Sequence, residues 1–140
     1  MNITLEADYA LRIVYGFSCQ NVKTDAPTLS AQIGVTLRFT LKILRKLLLA
    51  GIVRSYKGKS GGYMLAKEPS QISMYDVICA IEGDLPISRC TCEDYECGHP
   101  TVQQGLPCPI RHVFMDMATD LRSRLSAITF DQLVMGTAKY

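Results

Sequence analysis

Apolar residues in the first part of the chain recur at steps of three and four, the period of a helix with one buried face. Leu5, Leu11, Ile13, Val14 and Phe17 follow that spacing within residues 4–19, and a polar loop from Gln20 to Pro27 interrupts it. Thr28 is placed to cap a short second helix through Ile33, which Gly34 stops. Thr36 can cap a third helix running to about Ala50. In it Leu37, Leu41, Leu44, Leu47 and Leu48 are expected to face inward, with Gly51 ending it.

The period then changes. Ile52 to Tyr56 and Tyr63 to Leu65 read as two short strands around a tip of Lys57, Gly58, Lys59, Ser60, Gly61 and Gly62. Ser73 with Asp76 forms a capping-box pattern for a helix to about Ile81. Gly83 to Pro107 has no periodicity, and a loop of that length inside a compact domain is either functional or disordered. Pro109 suits the first turn of a long helix striped by Ile110, Val113, Phe114, Met117, Leu121, Leu125 and Ile128. Thr129 with Gln132 can cap a short terminal helix carrying Phe130, Leu133 and Val134. The fold class is therefore mainly α. Its elements are a winged helix-turn-helix with a two-stranded β-wing, a cysteine-rich loop and a long C-terminal helix. Three segments are expected: residues 1–82 with the winged helix-turn-helix, 83–108 with the cysteine-rich loop, and 109–140 with the long helix and a short helix after it.

The chain's 140 residues suit one domain with one main core. No stretch approaches the ~20 continuous apolar residues of a membrane span. Nor does the start, which carries Glu6 and Asp8, look like a secretory signal, so no membrane role and a cytoplasmic location are expected. Overall charge is close to neutral, but its distribution is not. Residues 1–70 hold ten basic and four acidic side chains, a net of +6, and residues 71–140 hold five and nine, a net of −4. An anionic partner for the first half accounts for that asymmetry.

Helix, short turn, helix and basic hairpin, in that order, point to double-stranded DNA. A recognition helix reads bases near its N-terminus, which nominates Thr36, Arg38, Phe39 and Thr40. Arg38 suits a bidentate contact to guanine, and Phe39 a thymine methyl. Lys42, Arg45 and Lys46 are placed for phosphates or solvent. Lys57 and Lys59, with Ser60 and Gly61 at the wing tip, suit a phosphate or a narrow minor groove. Thr28, at the second helix, completes the candidate DNA contacts.

Six cysteines call for a separate reason. Cys19 and Cys79 lie apart within helical patterns and read as buried, unreactive residues. Cys90, Cys92, Cys97 and Cys108 crowd together, which in a reducing compartment indicates metal or redox chemistry before structural disulfides. No C-x-x-C pair exists, so the spacing is not a standard zinc pattern. Iron–sulfur, thiol switching and zinc all remain open on spacing alone.

Several strings resemble the bacterial winged-helix regulators that include the cluster-assembly regulator IscR and the nitric oxide sensor NsrR. They are Asp8-Tyr9-Ala10-Leu11-Arg12, Val35-Thr36-Leu37-Arg38-Phe39, Lys42-Ile43-Leu44-Arg45-Lys46-Leu47, Ala50-Gly51-Ile52-Val53-Arg54-Ser55 and Gly61-Gly62-Tyr63-Met64-Leu65-Ala66. The likeness continues through Ile72–Val77 and Ile81–Gly83 and resumes at Ile128–Leu133. Leu41 departs from it, since relatives often carry a polar residue there. The resemblance implies a homodimer through the long helix, a partly palindromic operator, and a cysteine-rich loop beside the interface. It also implies a [2Fe–2S] or [4Fe–4S] cluster on three cysteines, which here are Cys92, Cys97 and Cys108. The intervals depart from the family's about five residues between ligands, the last one clearly. The fourth ligand stays open among Cys90, Asp8 (from the partner subunit) and His112, with His99 also in the loop. The function so implied is a regulator whose operator affinity follows redox state, cluster status or nitric oxide. The alternative is a thiol–disulfide switch without a cluster. An enzyme lacks support, because no nucleotide-binding glycine motif or cysteine–histidine–acid set is present. An adaptor using the winged helix for protein contacts is a further rival, separated by specific retention on DNA.

Overall fold

The computed structural model describes residues 3–92, 95–98 and 107–138. Helix α1 spans Leu5–Gln20, α2 Ala26–Ile33 and α3 Leu37–Leu49. Strands β1 (Val53–Tyr56) and β2 (Gly62–Leu65) pair antiparallel, with Val53 opposite Leu65 and Tyr56 opposite Gly62. Helix α4 spans Met74–Glu82, the long helix α5 Pro109–Ala127, and α6 Phe130–Met135.

Most boundaries follow local chemistry. The Thr4 side chain caps α1, and that of Thr36 accepts the Phe39 N–H at 3.3 Å to cap α3. Ser73 and Asp76 satisfy one another's backbone in a capping box at α4, as do Thr129 and Gln132 at α6. The expected cap of α2 is corrected: Asp25 caps it, its carboxylate accepting the Thr28 N–H at 2.8 Å. Pro27 lies inside that first turn, so the helix begins earlier than a Thr28 cap allows.

One core lies between α1, α3, α4, the foot of the wing and α6. Ala7, Ala10, Ile13, Val14 and Phe17 supply the α1 face, and Val77 and Ile81 that of α4. Phe130 returns the chain's end to this core at 1% exposure. The Phe130 N–H donates to the Ile72 carbonyl at 3.0 Å, so α6 is fixed to the start of α4.

Helix α3 is rotated from the expected register. Its buried face is Thr40, Ile43, Leu44 and Leu47, whereas Leu37 and Leu41 are each 42% exposed. The leucines occupy more than one side of the helix, and contact with α1 and α4 selects the side. In α5 no described residue is fully buried; Ile110, Val113 and Met117 are among its exposed side chains. Cys19 and Cys79 correct a further expectation, since Cys19 is exposed and Cys79 half-buried. Among the described residues no helix is long and apolar enough to cross a membrane.

Candidate nucleic-acid interface and cysteine loop

Helix α2 and α3 meet through Gly34, whose φ of 71° makes the sharp turn between them. Residues Arg38, Lys42 and Arg45, at i, i+4 and i+7, then share the exposed face of α3. Thr36, Arg38, Phe39 and Lys42 border one shallow hollow at the start of this helix. Thr28 is exposed in the first turn of α2.

Not every nominated side chain is free to read DNA. Thr40 is fully buried, and its hydroxyl donates to the Thr36 carbonyl at 3.1 Å. The expectation that it approaches base edges is therefore corrected. Phe39 is half-buried and stands edge-on to Tyr9, ring centres 6.0 Å apart, which occupies one side of its ring. The Arg12 guanidinium lies over Tyr9 at 5.6 Å and pairs with Asp8 at 3.0 Å. Thus Asp8, one candidate fourth ligand, already holds a cation within its own chain.

Lys42 and Lys46 converge on Glu6 of α1. Lys42 Nζ donates to Glu6 Oε2 at 3.0 Å, and Lys46 Nζ lies 2.9 Å from Oε1 while donating to the Ile81 carbonyl at 3.0 Å. Burial by itself pushes the Glu6 carboxyl up. The hydrogen bonds and charges of Lys46 and Lys42 more than offset that and hold it below the ordinary glutamate value. Sequence reading missed Glu6, because its partners lie in another helix and no local pattern points to them.

The wing keeps Lys57, Lys59 and Ser60 exposed at its tip. Gly61 is required by the turn: a Cβ there would meet the Tyr56 carbonyl oxygen and come within 2.9 Å of that of Gly58. Behind the tip, Lys23 Nζ and the Arg54 guanidinium both lie over the Tyr56 ring, at 5.3 and 5.6 Å. Neither was nominated from sequence.

Cys90, Cys92, Cys97 and Cys108 are each half-buried. Cys90 Sγ donates to Ser88 Oγ at 3.2 Å, and Cys108 occupies the N-cap of α5. Cys92 lines a hollow with Asp84, Thr91, Met115 and Arg122, between the loop's root and α5. Among the described residues no three histidine, cysteine, aspartate or glutamate side chains gather as a metal-binding group. His112 points its ring toward Asp116 of the next turn, 3.7 Å away, and its side chain is 80% exposed. His99, Glu93 and Asp94 lie outside the described residues.

A strut joins the loop's root to α5. Arg122 Nη2 is 2.6 Å from both Asp84 oxygens, and Tyr75 donates its hydroxyl to Asp84 Oδ1 at 2.9 Å. Burial, with the Asp84 hydrogen bond, pushes the Tyr75 phenol up to about 12. The Tyr75 hydrogen bond and the Arg122 guanidinium hold Asp84 below the usual aspartate value.

Comparison with known proteins agrees with this architecture. The B. subtilis global cysteine regulator CymR superposes with a TM-score of 0.74 at 22% identity, covering 98% of either chain. IscR of T. potens gives a TM-score of 0.70 at 19% identity over 97% of this chain and 88% of that one. In sequence, the HTH-type transcriptional regulator IscR of Vibrio atlanticus (strain LGP32) is 27% identical over 136 residues, 96% of this chain and 75% of that protein. Its relatives are thus transcriptional regulators and not enzymes. The profile of the Rrf2 family, described as an iron-dependent transcriptional regulator, matches residues 3–136, and the chain belongs to that family.

Proposed function

We propose that the chain binds a partly palindromic operator in duplex DNA as a homodimer, and that its cysteine loop sets the affinity or sequence preference of that binding. The observation that carries the DNA reading is the exposed basic face of α3 beside a glycine-built wing. In this reading Thr36 and Arg38 would meet base edges, and Arg45, Lys57, Lys59, Ser60 and Thr28 the backbone; all seven are exposed. The dimer reading rests on α5, where Ile110, Val113 and Met117 are 65%, 56% and 51% exposed along one stripe. Two such stripes packed antiparallel would hold two recognition helices in fixed relation, as half-sites about one DNA turn apart require. Such a regulator works in the cytoplasm.

Four half-buried thiols on one loop, in a family described as iron-dependent, support a [2Fe–2S] or [4Fe–4S] cluster. Cys92, Cys97 and Cys108 would hold it, with Cys90, Asp8 of the partner subunit or His112 as fourth ligand. Soft anionic sulfur is what iron in such clusters takes. The donors fit by chemistry, yet among the described residues they are not gathered, and DNA contact by α3 and the wing stands without them. A second reading, in which the thiols respond to oxidation by pairing, rests on the same four free, half-buried cysteines.

Anaerobic purification with a visible spectrum and iron and sulfide analysis separates the two. Iron and sulfide in the wild type, lost in Cys92→Ala, Cys97→Ala or Cys108→Ala and kept in Cys19→Ala, would establish the cluster. Protein that holds no iron after anaerobic reconstitution leaves the thiol switch. Should neither state be retained on any duplex selected from a random pool, the operator reading fails.

A further inference from the structure

Glu6 belongs to the first turn of α1, yet it decides which lysines of α3 are free. Its side chain is 14% exposed, and it holds Lys42 at 3.0 Å and Lys46 at 2.9 Å. Lys42 borders the same hollow as Thr36 and Arg38, so by position it belongs to the DNA-facing surface. By pairing it does not. We infer that Glu6 withholds Lys42 from the DNA backbone, and so acts as a positioning residue that limits sequence-independent binding by the recognition helix. This rests on the operator-binding reading and deepens it.

The balance follows from burial. Lys42 is 58% exposed, and a phosphate contact in that setting is screened by solvent and salt. Its departure would leave a largely buried carboxylate with Lys46 alone, and removing a partner from a buried charge costs more than an exposed pair returns. Lys46 is no substitute on the backbone, since it is 33% exposed and also bonded to the Ile81 carbonyl. Arg38 and Arg45 carry no ion pair among the described residues, so α3 presents two free cations on its outer face where its sequence offers three. Less unspecific attraction at the base-reading surface raises the weight of base contacts, because phosphate contacts favour every sequence alike.

The test needs no known operator. Full-length wild type, K42A, E6Q, E6Q/K42A and K57A are titrated with a fluorescein-labelled random-sequence duplex at several salt concentrations. The slope of log K on log salt counts phosphate contacts at about 0.9 per cation. K42A is expected to keep the wild-type slope, while K57A flattens it by about 0.9. E6Q should steepen it by about 0.9, and E6Q/K42A should return it to the wild-type value. A slope in K42A flattened as in K57A overturns the inference, as does an E6Q slope equal to wild type. K42A leaves Glu6 paired with Lys46, so it decides the question should E6Q not fold. A wild type whose binding shows no salt dependence has a different signature: it overturns the DNA reading itself.

Discussion

Arg38 and Thr40 stand two positions apart on α3 and have opposite surroundings. Thr40 is fully buried, its hydroxyl bonded to the Thr36 carbonyl, and Arg38 is exposed on the outer face. Thr40→Val should therefore lower the urea-unfolding free energy by ~1 kcal/mol, the net worth of a buried hydrogen bond, and leave operator preference unaltered. Arg38→Ala should leave unfolding unaltered and weaken binding to the selected operator by ~1–3 kcal/mol while relaxing base preference. Equal losses on matched and scrambled duplexes would assign Arg38 to phosphate. Sequence pattern exposed the amphipathic character of α3 but not its phase. Leucines at 37 and 41 suggested one face, and packing chose Thr40 and Ile43 instead. Glu6 was not legible at all, since its contacts with Lys42 and Lys46 join residues 36 and 40 positions away and exist only once α1 lies against α3.

At the scale of elements, the caps of α3, α4 and α6 and the wing were legible because their chemistry is local. Thr36, Ser73 and Thr129 satisfy N–H groups within three residues of themselves, and glycine is demanded where the wing tip turns back on Tyr56. Gly61→Ala should open that tip and lower affinity similarly for all sequences, read by anisotropy on matched and scrambled duplexes. The cysteine loop was legible as a composition only. Its thiols come from both ends of a long segment, and no short-range rule sets the distance between Cys92 and Cys108. What fixes the near end to α5 is the strut of Tyr75, Asp84 and Arg122. Asp84 titrates below its ordinary value in the folded chain, so the strut's contribution is present above the unfolded aspartate pKa. It is lost as pH falls through the lower folded value. The protection of amides in residues 83–92, taken relative to their intrinsic exchange rate at each pH, should accordingly fall only as pH drops below the ordinary aspartate range, and Asp84→Asn should lower it at neutral pH. Exchange unaltered by Asp84→Asn would show that the strut does not restrain the loop.

At the scale of the molecule, one domain's worth of chain leaves a long helix uncovered. Helix α5 touches its own chain mainly through α4 and the turn at Arg89–Thr91, and the opposite side presents Ile110, Val113 and Met117 to solvent. Apolar side chains repeating along one side of a helix are a surface for association. A second copy is the occupant proposed here, since the operator reading needs two recognition helices in fixed relation. Val113 and Met117 are more than half exposed, so placing glutamate at both costs the monomer little packing and puts like charges into the proposed seam. Sedimentation of the wild type at micromolar concentration should give the dimer mass. The Val113→Glu, Met117→Glu double variant should give the monomer mass with an unchanged helical spectrum. Each monomer would then hold a single half-site. Losing the tethered second contact should weaken operator binding by about 100-fold or more, while binding to an isolated half-site stays near the wild-type level. A dimer that survives both glutamates would move the interface off this stripe. A wild type that sediments as a monomer would remove half-site pairing, and the cysteine loop would then have no dimer geometry to adjust.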